Sequence, residues 1–129
     1  MSLFPLRFVL PCVSCVVVLA AGLAAWARAH GGGVFRPDLL ADPDIRVLVR
    51  DNPEGGIAGA VASLGGGVVG VSNLFTLGAP DHEWDGLVDA IRGLFPGRAL
   101  VGYGAGDDLA GALRAGFAVI GPLRVWLRR

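Results

Sequence analysis

The side chains able to do proton-transfer, nucleophilic or metal chemistry in this chain are few. Tyr103 is its single tyrosine and stands between Gly102 and Gly104, directly after the apolar run Ala99-Leu100-Val101. Ligands enter mixed sheets at strand ends, and a phenol placed there can pass a proton. Packing against a neighbouring strand is the competing role. His30 and His82 are far apart in sequence, and His82-Glu83 does not begin an HExxH pair because residue 86 is Gly. That zinc motif needs two imidazoles one helical turn apart. Cys12 and Cys15 form a CxxC. A redox CxxC opens a helix inside a packed α/β unit. This one lies in an apolar run, and a four-cysteine metal site would need a second pair.

Two glycine clusters invite a phosphate-binding reading. Gly65, Gly67 and Gly70 satisfy GxGxxG, but the dinucleotide motif must follow a strand and open a helix. Here the glycines feed a strand, so a hairpin turn is the better account. Gly102-Tyr103-Gly104-Ala105-Gly106 does stand between a strand and a helix, yet Asp107 and Asp108 follow at once. Two carboxylates at a helix start repel an anion.

These residues sit in a chain of 129 residues, with 11 basic and 11 acidic side chains, net charge zero and 53% apolar residues. One domain accounts for that length. Zero net charge argues against a nucleic-acid module, which works by phosphate neutralisation. All the basic residues are Arg.

Residues 8–27 carry no charge, and about 20 such residues can span a bilayer as a helix. Arg7 precedes the run and Arg28 follows it. The run predicts an apolar N-terminal helix serving as a membrane anchor, or a signal peptide ending at Ala27-Arg28-Ala29, a small-x-small site. The division expected is residues 1–29 as signal-like or anchor segment and residues 34–129 as the domain. A third reading makes the run no working element. Location follows: membrane-associated or exported if the run acts as anchor or signal, cytoplasmic if the family resemblance described below holds.

Beyond the glycines 31–33, residues 44–50 alternate apolar at 45, 47 and 49, the period of a strand. Residues 57–63 and 68–76 predict two more strands, joined at Gly65-Gly66-Gly67. Trp84, Leu87, Val88, Ile91, Leu94 and Phe95 then form one face of an α-helix, with Asp81 as N-cap and Pro96-Gly97 as its stop. Residues 98–103 predict a strand, Asp107 or Asp108 caps a short helix closed near Gly116, and residues 117–127 predict a last strand broken at Gly121-Pro122. A strand–helix–strand unit is a right-handed crossover. The expected fold is therefore α/β (α+β): a mixed, mostly antiparallel sheet with helices packed on it, preceded by the apolar helix.

The run Val68-Val69-Gly70-Val71-Ser72-Asn73-Leu74-Phe75-Thr76, the amphipathic helix, Ala99-Leu100-Val101-Gly102-Tyr103, and Leu113-Arg114-Ala115-Gly116-Phe117 with the strand after it together resemble the C-terminal part of GNAT-type N-acetyltransferases. The likeness covers roughly residues 34–129. The Gly116-Phe117 helix end is its most specific piece, and the rest is element order. The resemblance implies an acetyl-CoA groove where the strands at 68–76 and 98–103 splay apart. Leu74, Phe75 and Thr76 fall where backbone groups pair with pantetheine. It implies a small-molecule or peptide amine as acceptor, and it places Tyr103 near the opening. The chain departs from the family between the third strand and the helix, where Asp81, Glu83 and Asp85 replace a basic, glycine-rich phosphate loop. The tyrosine often found in the family's short final helix would fall near Ala112, and the family's first strand and helix have no evident counterpart in the sequence. Those departures favour a second reading, a membrane-anchored or secreted α/β module without catalysis.

Overall fold

The computed structural model describes residues 6–9, 15–18, 20–32, 35–51, 56–78 and 83–129. Among them six strands form one sheet in the order of the sequence: β1 (Leu6–Val9), β2 (Cys15–Val18), β3 (Ile45–Asp51), β4 (Ile57–Gly65), β5 (Val68–Leu77) and β6 (Leu100–Val101). Neighbours from β1 to β5 are antiparallel, and β5 and β6 are parallel. Three α-helices accompany the sheet: α1 (Ala20–His30), α2 (Glu83–Leu94) and α3 (Gly106–Arg114). A 3-10 turn at Pro37–Ala41 leads into β3.

The apolar run at residues 8–27 is not one helix. It contributes to two strands and then enters α1, and no described helix is long and apolar enough to cross a membrane. The physical reason lies in its composition. Val16, Val17 and Val18 are β-branched and suit a half-buried sheet, whereas Ala20 to Ala29 is alanine-rich and suits a helix. An uncharged run reads alike in a membrane and in a core. β2 pairs with β3 along Cys15↔Arg50, Val16↔Val49 and Val17↔Leu48, so residues 15–18 share one sheet with the meander.

The meander matches the period-2 pattern. In β3, Leu48 turns to one face and Val47 and Val49 to the other. In β4, Ala58, Ala60 and Ala62 join Leu48 under α2, while Ile57 and Val61 join Val47 and Val49 under α1. Leu87, Ala90 and Ile91 of α2 close the first core, and Leu23 and Trp26 of α1 close the second. The small side chains of β4 let α2 approach the sheet closely. The β4–β5 hairpin turns at Gly66 and Gly67, whose φ values of 59° and 80° are those of a two-residue type I′ turn.

The predicted last strand is absent: residues 117–129 are described and carry no regular structure. Alternation supplies a surface for pairing, but a strand also needs a neighbour, and β6 is only two residues long. Asp81, His82 and Cys12, and the turn at residues 52–55, lie outside the described residues.

Candidate functional site: the opening beside β5

β5 is paired along its length on one side and briefly on the other. On the β6 side, the described ladder is Val69↔Leu100 and Gly70↔Val101, with Val69 N–H donating to the Ala99 carbonyl at 2.9 Å. Gly102 still lies against β5, since an added Cβ there would stand 3.0 Å from the Val71 carbonyl oxygen. The chain then leaves the sheet for α3. Tyr103 is 79% exposed in this departing stretch.

A bulge decides which groups β5 presents to the opening. Val61 is opposite Ser72 but Gly59 is opposite Phe75, so β5 holds one extra residue there. Asn73 carries it at φ 51°, the one non-glycine with positive φ among the described residues. Asn tolerates this left-handed geometry better than most residues. The insertion reverses the alternation. Val69 and Val71 face α2, and so does Leu74, while Phe75 turns to the α1 side.

The backbone follows the same parity. Val69 turns its peptide groups to β6, and Gly70 and Ser72 turn theirs to β4. After the extra residue, Phe75 and Leu77 pair with Gly59 and Ile57 of β4. Leu74 and Thr76 are left with their peptide groups on the open edge. Of the three residues singled out in the sequence, Leu74 and Thr76 thus turn their peptide groups to an edge without a described partner strand, and Phe75 turns its ring away to the α1 side.

Beyond the opening, Thr76, Trp84, Asp107, Asp108, Ala110 and Arg114 line a groove of about 280 Å³. Trp84 of α2 packs on α3: a Cβ on Gly111 would stand 3.0 Å from Trp84 Cε2, so the glycine gives the indole room to lie close. Asp107 and Asp108 occupy the first turn of α3, where the helix dipole favours carboxylates. Two carboxylates against the Arg114 guanidinium make this groove better suited to a cationic ligand than to a phosphate. The end of α3 is a Schellman closure: Gly116 has φ 94°, its N–H donates to Leu113, and Phe117 N–H donates to Ala112.

Behind β5, on the α1 face, stands an aromatic cluster of Trp26, His30, Phe35 and Phe75. Trp26 is fully buried, and its Nε1–H donates to the Leu48 carbonyl at 2.8 Å. His30 stacks on it at 5.4 Å between ring centroids, and Phe35 and Phe75 meet it edge-on. His30 Nδ1 lies 2.8 Å from the Gly32 carbonyl. A carbonyl only accepts, so Nδ1 carries a hydrogen and donates it. Trp26 and His30 are one helical turn apart on α1, the only signal that relates them in the sequence.

Among the described residues, no group of three or more His, Cys, Asp or Glu is placed to hold a metal ion. No family model, curated protein or solved structure matches the chain.

Proposed function

We propose that the chain is a GNAT-like N-acetyltransferase that takes the pantetheine arm of acetyl-CoA into the opening beside β5 and passes the acetyl group to an amine. The observation that carries this reading is the two-residue pairing of β5 with β6, after which the two backbones part. A thioester arm laid in the opening pairs with the peptide groups of Leu74 and Thr76 as an added strand would. The order of β2 and α1 before the meander supports the same reading, because it supplies a strand and a helix where the sequence offered an apolar run.

The chemistry follows from that placement. The amine arrives as an ammonium ion, gives up one proton to water and attacks the thioester carbonyl carbon as the neutral amine, losing its second proton to water in the tetrahedral intermediate, while a backbone N–H of β5 meets the developing oxyanion. Collapse of the tetrahedral intermediate forms the amide and expels the CoA thiolate. Tyr103 is the group proposed to return a proton to that sulfur, reaching in from the exposed stretch after β6. The acidic groove lining draws a cationic small-molecule or peptide amine toward the same end of the sheet.

The lining also favours a rival reading, because Asp107 and Asp108 stand where a phosphate-bearing cofactor would be repelled. An α/β module without catalysis has no use for a phosphate site. Calorimetric titration of acetyl-CoA into the full chain separates the two. A one-to-one complex tighter than about 1 mM is expected for the transferase. No heat at that concentration leaves the non-catalytic module.

A further inference from the structure

Residues 117–129 expose more large apolar side chains than any other part of the described chain. Val119, Ile120, Leu123, Val125, Trp126 and Leu127 are each more than 60% exposed, with Ile120 at 95% and Trp126 at 88%. A soluble surface scatters such residues singly. Here they follow one another along a backbone with no regular structure, so the same segment also leaves its peptide groups without ladder partners. Residues 123–127 hold neither proline nor glycine, and Leu123, Val125 and Leu127 alternate onto one face. That is a strand lacking a sheet.

The same chain carries a sheet lacking a strand. β6 closes the strand order and pairs only with β5 among the described strands, so its outer edge is open. An open edge invites pairing with another chain. The charges match as well. Arg124 lies within the apolar stretch and Arg128 and Arg129 follow it, with no acid among residues 117–129, whereas Asp107 and Asp108 lie exposed just beyond β6.

We infer that two copies of this chain associate by strand exchange, residues 123–127 of each docking on the outer edge of β6 in the other. Within one copy the segment stands exposed and unpaired, so a second copy is the occupant that satisfies both deficits, each copy bringing one strand and one edge. A two-fold axis relates the two contacts, which makes the interface self-complementary and closed. The docked segment brings Leu123, Val125, Trp126 and Leu127 to the contact, with Val119 and Ile120 just before it, and the two-fold doubles that apolar surface.

Sedimentation velocity of the full chain between about 1 and 100 µM tests the inference. A dimer is expected, and Val125→Pro, which removes one ladder N–H from an exposed position, is expected to weaken it at least about tenfold. At a concentration where both chains are monomeric, far-UV circular dichroism and cooperative thermal unfolding of that variant are expected to match those of the parent chain. A parent chain that stays monomeric at 100 µM overturns the proposal. So does a dimer that Val125→Pro leaves intact, since association then uses another surface.

Discussion

Phe75 of β5 meets Trp26 of α1 edge to face, with ring centroids 5.4 Å apart and planes at 72°. The contact exists because the extra residue at Asn73 turns Phe75 away from the face that holds Val69, Val71 and Leu74. One backbone irregularity therefore does two things. It joins the α1 face to the centre of the sheet, and it leaves Leu74 and Thr76 with peptide groups on the open edge.

Gly59 lies beneath that contact. A Cβ there would stand 2.5 Å from Phe75 Cε1 and 2.6 Å from Trp26 Nε1. Gly59→Ala is expected to destabilise the chain by about 1–3 kcal/mol, the usual cost of overpacking, as measured by urea denaturation. Gly65→Ala, at a position with nothing within 4 Å and no positive φ, is expected to change stability by less than about 1 kcal/mol.

Trp26 is anchored by its bond to the Leu48 carbonyl. Trp26→Phe keeps an aromatic ring but removes that bond and part of the volume, and is expected to cost about 2 kcal/mol. The same denaturation curves check it. A variant as stable as the parent would show that the indole N–H contributes nothing there.

The bulge makes its own prediction. A β-branched residue is poorly suited to positive φ, so Asn73→Val is expected to destabilise by about 1–2 kcal/mol, whereas Asn73→Gly is expected to be neutral or stabilising. If the bulge sets which peptide groups face the opening, Asn73→Val also weakens acetyl-CoA binding, and Asn73→Gly leaves it unchanged. Thermal unfolding and calorimetry on the two variants read the two effects separately.

Asp107 and Asp108 oppose a phosphate-bearing ligand. Asp107→Asn with Asp108→Asn is expected to tighten acetyl-CoA by a few-fold at low salt, with the gain shrinking as ionic strength rises. Titrations at low and high sodium chloride check the sign. Weaker binding by the double variant would place the carboxylates in contact with the ligand's hydroxyl, amide or amino hydrogens instead.

How much of this was legible in the residues depends on where each determinant lies. The meander and α2 were readable because alternation at 45, 47 and 49, and helical spacing from Trp84 to Ile91, are local. The Gly66-Gly67 hairpin was readable because its conformation demands glycine. The stretch 8–27 reads as one helix and folds as strands followed by α1, because freedom from charge describes a long apolar helix and a core strand equally well. The bulge at Asn73 left no local mark, so a regular strand would have put Phe75 on the wrong face. The aromatic cluster is assembled by tertiary pairing across residues 26, 30, 35 and 75. Residues 117–127 read as a strand because they have a strand's pattern, and the partner they lack is not a property of the pattern.

The central claim, that a thioester arm occupies the opening beside β5, is tested most directly by amide hydrogen exchange with and without saturating acetyl-CoA. The account predicts that the Leu74 and Thr76 amides slow by about tenfold or more in the complex, while the Phe75 amide, already turned to β4, changes little. Exchange at Leu74 and Thr76 that is the same with and without the ligand would contradict it.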